Sequence, residues 1–146
     1  MNRVYTIGYD ARSSTTFIKL LKTHDIGLVV DVRRFPTSRF PHYRRELLEI
    51  ILETNGIRYK WLGEYLGGFR GGYQEYMKTQ KYWMGIKRLL EIVNYGEYGG
   101  YPAILCRERI PWRCHRRYIA GTLVSLGYDI YHIIDYGEIV KHAKIY

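Results

Sequence analysis

Short apolar runs alternate with segments of helical periodicity along this chain, and this alternation is the feature that most constrains its fold. Residues 28–32 are apolar except for Asp31, which is typical of a strand buried in the centre of a parallel sheet. Strands that alternate with helices are joined by crossovers, which place the strands parallel and the helices on both faces. We therefore predict one α/β domain spanning residues 1–146, with three layers and a mainly parallel sheet of about five strands.

The predicted elements follow one another without internal repeats or linkers. The residue pattern predicts strands at 4–7, 28–32, 57–62, 102–106 and 128–134, and helices at about 17–24, 43–54, 81–95 and 112–126. Five glycines among residues 63–72 predict a mobile loop. The tail at 138–146 fits either a strand or a helical turn.

Positive charge is concentrated in two segments of the chain. There are 23 lysines and arginines against 14 acidic residues, a formal net charge of +9. Residues 33–45 and 107–117 hold five arginines each, and Glu108 is the one acidic residue inside either segment. The planar guanidinium group matches phosphate and carboxylate groups, whereas solubilising surface charge usually mixes both signs. Both interpretations stay open, and the clustering favours an anionic ligand.

The carboxyl ends of the predicted strands lie at one edge of the sheet, where open α/β sheets bind their ligands. Both arginine-rich segments begin at this edge, one after the second strand and one after the fourth. We therefore predict a single electropositive cavity there. Its predicted ligand-binding residues are Tyr9, Arg33, Arg34, Ser38, Arg107, Arg116 and His132.

Cys114 and His115 follow Pro111 and are predicted to lie in the first turn of the helix at 112–126. The positive end of a helix dipole favours the thiolate form of a cysteine and the neutral form of a histidine. One interpretation is a nucleophile beside an imidazole. The other is a cysteine packed at the start of the helix beside a capping histidine.

Cys106 ends the predicted strand at 102–106, where a buried free cysteine without chemistry is the favoured interpretation. The alternative is a redox couple with Cys114, although the seven residues between them differ from the spacing of a Cys-x-x-Cys motif. The cysteines and histidines do not have the spacing of a standard zinc site, so we predict no metal. The sequence assigns no cofactor.

Two carboxylates, Asp31 and Glu108, stand close to arginines in the sequence at the predicted cavity. Residues i and i+2 of a strand point to the same face, so Asp31 and Arg33 can touch. Each carboxylate can either position an arginine or act as a general base. Together with Cys114 and His115, they are the four predicted catalytic candidates.

Composition indicates where the protein works. Two cysteines are too few for the disulfide framework of a secreted domain, and the first residues do not resemble a signal peptide. No apolar run is long enough to span a bilayer. We therefore expect a cytoplasmic protein without a membrane partner. Only five residues are Asn or Gln, a feature of thermophilic proteins.

Three functions fit these features. The first is binding of a phosphate-bearing ligand, a nucleotide or a nucleic-acid end, with any chemistry at Cys114 or His115. The second is a non-catalytic nucleic-acid-binding module, because basic residues interleaved with Tyr and Trp suit stacking on single strands. The third is a protein that pairs its arginines with an acidic protein. Whether the chain is an enzyme stays open, but a P-loop is excluded because no Lys-Ser or Lys-Thr follows the glycine-rich segment.

Six short motifs are distributed over nearly the whole chain. They are Thr6-Ile7-Gly8-Tyr9, Asp31-Val32-Arg33-x-x-Pro36-x-Ser38, Leu66-Gly67-Gly68, Leu105-Cys106-x-Glu108, Cys114-His115-Arg116 and His132-Ile133. Together they resemble the domain-of-unknown-function family 488. The resemblance implies a single-domain prokaryotic α/β protein whose biochemical role is not established. It supports one shared site for these residues and implies no reaction.

Overall fold

The structure, a computed structural model, describes residues 2–68 and 72–143. Within these residues one sheet is formed by β1 (Arg3–Gly8), β2 (Ile26–Asp31), β3 (Arg58–Trp61), β4 (Tyr101–Cys106), β5 (Asp129–Asp135) and β6 (Glu138–Lys141). The strand order is β3-β2-β4-β1-β5-β6, and neighbouring strands are parallel except for β5 and β6. The predicted mainly parallel α/β fold is confirmed, and the tail adds an antiparallel sixth strand.

The strands are connected by helices, most of which cover the two faces of the sheet. Over the same residues the α-helices are α1 (Ser14–Thr23), α2 (Arg45–Thr54), α3 (Gly63–Leu66), α4 (Tyr73–Tyr76), α5 (Gln80–Tyr95) and α6 (Arg116–Ser125). Ser13 caps α1 by accepting a hydrogen bond from the backbone N–H of Thr16, and Thr79 caps α5 in the same way. These side chains satisfy N–H groups that have no partner inside the helix, and so fix where α1 and α5 begin.

The two faces of the sheet carry separate apolar cores, because successive side chains of a strand point to opposite sides. In β4, Ile104 packs with residues of α5 and α6, whereas its neighbour Leu105 packs with residues of α1 and α2. Each fully buried leucine or isoleucine stabilises the fold by about 1.5–3 kcal/mol. The result is a three-layer arrangement with β4 in its centre.

The helix predicted at 112–126 begins later than its residue pattern indicates. Pro111–Arg113 forms a short 3-10 turn, and α6 starts only at Arg116. Between them Cys114 is extended, with φ −133° and ψ 149°, and His115 precedes the first helical residue. The prediction that Cys114 and His115 lie in the first helical turn is therefore wrong. Proline fits the start of a 3-10 turn, which closes when the N–H of Cys114 donates to the Pro111 carbonyl oxygen.

The glycine-rich segment at 63–72 is only partly a loop. Its first residues form α3, which packs against the segment after β2 that contains Arg33. A Cβ atom on Gly63 would lie 1.8 Å from the Arg33 carbonyl oxygen, so this close approach requires glycine. The mobile loop predicted over 63–72 is therefore wrong where α3 forms. Residues 69–71 of that predicted loop lie outside the described residues.

The crossovers diverge at the centre of the sheet. β2 leads through α2 to β3 at one edge, whereas β4 leads through α6, on the other face, towards β5. β2 and β4 are hydrogen-bonded neighbours, so their carboxyl ends lie where the connections part. In open α/β sheets this point forms the crevice in which ligands bind.

Candidate functional site

A cleft of about 730 Å³ opens at the carboxyl ends of β1, β2 and β4. Of the eleven site residues predicted from the sequence, eight line this cleft: Tyr9, Arg33, Arg34, Ser38, Arg107, Glu108, Cys114 and His115. The other three are Asp31, Arg116 and His132, which are buried and do not line it. The structure therefore brings most of the predicted residues together and places the rest behind them.

Two further arginines, Arg39 and Arg113, also line the cleft and are exposed. Both belong to the arginine-rich segments at 33–45 and 107–117, so the sequence carried a signal for them. Which arginines of those segments face the cleft depends on the path of the loops, and the residue pattern does not determine that path.

Arg33 is held firmly at the wall of the cleft. Its Nε and Nη2 donate to the two carboxylate oxygens of Asp31 at 2.9 and 2.7 Å, and its Nη1 donates to the Tyr43 carbonyl oxygen at 2.7 Å. The guanidinium lies 5.2 Å from the centroid of the Tyr9 ring. Burial acts to lower the pKa of Arg33, but the hydrogen bond and charge of Asp31 outweigh it and raise that pKa. Because its nitrogens are engaged, Arg33 shapes the cleft and adds charge to it.

Asp31 is fully buried behind Arg33. Besides the guanidinium, its Oδ1 accepts the backbone N–H of Arg33 at 3.1 Å, and its Oδ2 accepts the hydroxyl of Tyr59 at 2.6 Å. Burial, followed by the charge of Asp31, raises the pKa of Tyr59. Of the two roles predicted for Asp31, this geometry fits that of positioning an arginine.

Arg34 and Ser38 hold the loops at the mouth of the cleft. Arg34 donates from Nε to the Gly68 carbonyl oxygen at 3.2 Å and from Nη2 to that of Gly67 at 3.3 Å. The hydroxyl of Ser38 accepts the backbone N–H of Phe40 at 3.1 Å. These contacts tie the loop after β2 to the segment after α3.

The floor of the cleft rests on a close backbone contact. A Cβ atom on Gly8, the last residue of β1, would lie 1.8 Å from the carbonyl oxygen of Glu108. The loop after β4 therefore lies directly on the end of β1, and only glycine permits this. The contact fixes the backbone of Glu108, whose neighbour Arg107 is exposed at the cleft.

Arg116 is a buried cation beneath the cleft. It is 0% exposed, and its Nε donates to the Thr6 hydroxyl at 3.1 Å. Its Nη1 donates to the sulfur of Cys106 at 2.9 Å and to the Glu108 carbonyl oxygen, and its Nη2 donates to the Arg109 carbonyl oxygen. Within residues 2–68 and 72–143 it forms no ion pair with a carboxylate. Burial, and then the charge of Arg12, lower the pKa of Arg116 to about 9.

His132 supports Arg116 from the side away from the cleft. Its Nδ1 lies 2.6 Å from the Thr6 hydroxyl and its Nε2 lies 2.8 Å from Nδ1 of His142. The Thr6 hydroxyl thus links the side chains of His132 and Arg116, since it also accepts a hydrogen bond from Nε of Arg116. Burial, and then the charge of Arg116, lower the pKa of His132 to about 3. The geometry makes this predicted ligand-binding residue part of the support of Arg116.

The structure pairs the sulfur atoms of Cys106 and Cys114 at the inner end of the cleft. Cys106 is 2% exposed and Cys114 is half-buried. Of the two interpretations of Cys106, the structure therefore favours the pair with Cys114 over the free core thiol.

His115 is a neutral imidazole beside Cys114. Its Nε2 lies 3.1 Å from the carbonyl oxygen of Val32, an acceptor, so Nε2 carries the hydrogen and Nδ1 carries the lone pair. Nδ1 lies 3.6 Å from the Cys114 sulfur. Burial is the main cause that lowers the pKa of His115 to about 4, and the charge of Arg116 acts in the same direction.

A second groove, of about 340 Å³, adjoins the cleft and shares Arg113, Cys114 and His115 with it. Aromatic and basic side chains form the rest of its wall, namely Tyr73, Trp112, Arg117 and Tyr118. Tyr73 and Tyr118 are stacked with their centroids 5.8 Å apart, whereas Trp112 is 52% exposed. The groove thus offers one exposed aromatic ring next to an arginine-lined cleft.

In the part of the chain that the structure describes, no three His, Cys, Asp or Glu side chains are grouped so as to hold a metal ion. None of the helices in this part combines the length and the apolar surface that a bilayer crossing needs.

The fold and the cleft define an open, mainly parallel α/β protein with an arginine-lined crevice where its crossovers diverge. The model of the family described as "Domain of unknown function DUF488" matches residues 13–123, most of the chain, and the chain belongs to this family. The resemblance drawn from the six motifs is thereby confirmed. No curated protein and no solved structure matches the chain.

Proposed function

We propose that the cleft binds a phosphate-bearing ligand, a nucleotide or the end of a nucleic-acid strand. The observation that supports this is the excess of arginine: five arginines line the cleft, against the carboxylates Asp10 and Glu108. Of the five, Arg33 is already paired with Asp31. Arginines therefore outnumber the carboxylates that line the cleft, which favours an anionic ligand, and phosphate oxygens match the guanidinium fork.

The ligand contacts are assigned to the exposed arginines at the rim. Arg39, Arg107 and Arg113 form no ion pair with a carboxylate within the described residues. Arg33 and Arg116 act from behind, because their hydrogen-bonding groups are occupied by protein atoms. Their charges add to the potential in the cleft without touching the ligand.

The group beside the Cys114 sulfur is the neutral imidazole of His115, whose unprotonated Nδ1 faces it. In the reduced protein this nitrogen accepts a hydrogen bond from the Cys114 thiol and orients it, whereas an imidazole with a pKa of about 4 is too weak a base to take the thiol proton at neutral pH. We also propose that the protein works in the cytoplasm, where nucleotides are abundant. Its two cysteines are too few for the disulfide framework of a secreted domain.

The test is binding of inorganic phosphate, pyrophosphate and a panel of mononucleotides, measured by titration calorimetry. The variant Arg39→Gln/Arg107→Gln/Arg113→Gln removes the rim charges. A matched variant, Lys22→Gln/Lys60→Gln/Lys87→Gln, removes the same charge from exposed positions outside the cleft.

We expect the cleft variant to bind at least about tenfold more weakly, because each lost charge-assisted hydrogen bond is worth about 1.5–3 kcal/mol. The lysine variant should change affinity by no more than about threefold, since exposed distant charges are screened by salt. Equal losses in the two variants would show that net charge and not the cleft attracts the ligand.

A non-catalytic nucleic-acid-binding module is the second candidate, and the aromatic groove favours it. Trp112 offers an exposed ring for base stacking beside Arg113 and Arg117, an arrangement that suits a single strand passing from one cavity to the other. This function requires that single-stranded DNA bind more tightly than any mononucleotide. Affinity should then fall steeply with salt, drop in Trp112→Ala, and survive Cys114→Ser combined with His115→Ala.

A further inference from the structure

The buried guanidinium of Arg116 forms no ion pair with a described carboxylate, and the charge of Glu108 acts on it only from beyond ion-pair distance. Its hydrogen bonds end on the Thr6 hydroxyl, on two carbonyl oxygens and on the sulfur of Cys106. The hydroxyl and the carbonyl groups stay neutral at any relevant pH, whereas a cysteine sulfur can become an anion. A buried cation favours the anionic form of its neighbour, so the reduced Cys106 is the natural counter-ion of Arg116.

The two cysteines differ in access. Cys106 is 2% exposed, whereas Cys114 is half-buried and lines both the cleft and the aromatic groove. An incoming thiolate therefore reaches the sulfur of Cys114. The backbone N–H of Arg116 donates to that same sulfur at 3.5 Å, so a hydrogen-bond donor lies at the point of attack.

We propose that Cys106 and Cys114 form a reversible redox pair that a dithiol reduces, with Arg116 as the counter-ion of the Cys106 thiolate. A thiolate of the dithiol attacks the Cys114 sulfur, the disulfide bond breaks, and Cys106 leaves with the electron pair. The second thiol of the dithiol, after losing its proton, attacks the mixed disulfide. Cys114 leaves and takes up a proton, and the dithiol ends as a disulfide. Two electrons pass to the protein, and a stabilised leaving thiolate makes the first step fast.

The redox state also sets the charge of the cleft, an extension that rests on the proposed phosphate binding. In the disulfide form no thiolate lies beside Arg116, and its charge attracts the ligand phosphate. In the dithiol form the Cys106 thiolate balances it, at a distance of 2.9 Å between nitrogen and sulfur. The oxidised protein should therefore bind phosphate more tightly than the reduced protein.

The first experiment measures thiolate formation in the Cys114→Ser variant from its absorbance at 240 nm as the pH rises. The blank is the double variant Cys106→Ser/Cys114→Ser, and the reference thiol is glutathione. We expect half of Cys106 to be ionised at least about one pH unit below glutathione. A midpoint at or above that of glutathione overturns the proposal. The Arg116→Gln/Cys114→Ser variant, if folded by circular dichroism, should move the midpoint upwards, and an unmoved midpoint overturns the role of Arg116.

The second experiment treats the oxidised wild-type protein with glutathione, traps the mixed disulfide with acid, and locates it by peptide mass spectrometry. We expect the adduct on Cys114. An adduct on Cys106, or a disulfide that dithiothreitol does not reduce in the folded protein, overturns the proposal.

The third experiment compares inorganic phosphate affinity in the oxidised and the reduced wild-type protein by calorimetry. We expect at least about threefold tighter binding in the oxidised form, because reduction adds the negative charge of the Cys106 thiolate next to Arg116. Equal affinities overturn the extension to the cleft. Absence of phosphate binding in both forms overturns the proposed function instead, and the thiolate midpoint and the adduct position then still decide the redox pair.

Discussion

The protein should lose stability steeply as the pH falls below 6.5, because it folds around two neutral histidines. Burial is the main cause that holds the pKa of His115 at about 4 and that of His132 at about 3, and the charge of Arg116 lowers both further. In the unfolded chain both return to an ordinary value of about 6.5. As the pH falls, the unfolded chain therefore binds protons on these two histidines before the folded protein does. Their contribution to the free energy of unfolding is fully present above pH 6.5 and is lost as the pH falls towards the pKa values of the folded protein.

The size of the effect follows from linkage. At pH 4 each histidine lowers the free energy of unfolding by about 3 kcal/mol, so the two together lower it by about 6 kcal/mol. A domain of this size has a total stability of about 5–15 kcal/mol, so the loss is a large share of it. Between pH 6 and 5 the slope should approach two protons, about 2.7 kcal/mol per pH unit.

The assay is urea unfolding, followed by circular dichroism, at intervals between pH 8 and pH 5, where carboxylates contribute little. His115→Asn and His132→Asn should each reduce the slope by about 1.4 kcal/mol per pH unit. A wild-type slope below half a proton in this range, or a variant that keeps the full wild-type slope, would refute the reasoning.

Three further substitutions test the supports of the cleft. Asp31→Asn removes the charge that faces buried Arg33 and should lower the free energy of unfolding by about 3–5 kcal/mol, measured with urea. Tyr59→Phe removes one hydrogen bond to Asp31 and should lower it by about 1–3 kcal/mol in the same assay. Gly8→Ala places a Cβ atom 1.8 Å from the Glu108 carbonyl oxygen, so it should displace the loop after β4 and weaken phosphate binding in calorimetry.

Each of these substitutions has a matched control. Asp129→Asn alters an exposed ion pair, Tyr95→Phe alters a side chain that is 84% exposed, and a Cβ atom on Gly99 meets nothing within 4 Å. The controls should change stability by less than about 0.5 kcal/mol. If a cleft substitution has no greater effect than its control, the contact assigned to that residue does not support the fold.

The fold could be predicted because buried parallel strands appear in the sequence as continuous runs of apolar residues. Apart from Asp31, residues 28–32 and 102–106 are apolar on both faces, as a central strand requires. β6 has no such apolar run, since all four of its residues are exposed and its pairing with β5 depends on a tight turn. For this reason the tail at 138–146 fitted two kinds of element equally well.

The candidate site could be located from the sequence, but the role of each arginine could not. In the sequence, the buried Arg33 and Arg116 have neighbours similar to those of the exposed arginines, so the local pattern does not distinguish the two groups. The burial of Arg116 depends on Thr6, which is 110 positions away in the chain, and a local pattern carries no information on such a contact. The same holds for His132, whose partner is again Thr6.

The contact between Gly8 and the Glu108 backbone also limits how the cleft can diversify. A side chain at Gly8 displaces the loop after β4, and larger side chains displace it further, whereas Phe35, Thr37 and Arg39 at the mouth are exposed. A library that randomises these three positions should therefore yield folded proteins with altered ligand preference. Randomising the floor should yield mostly insoluble ones.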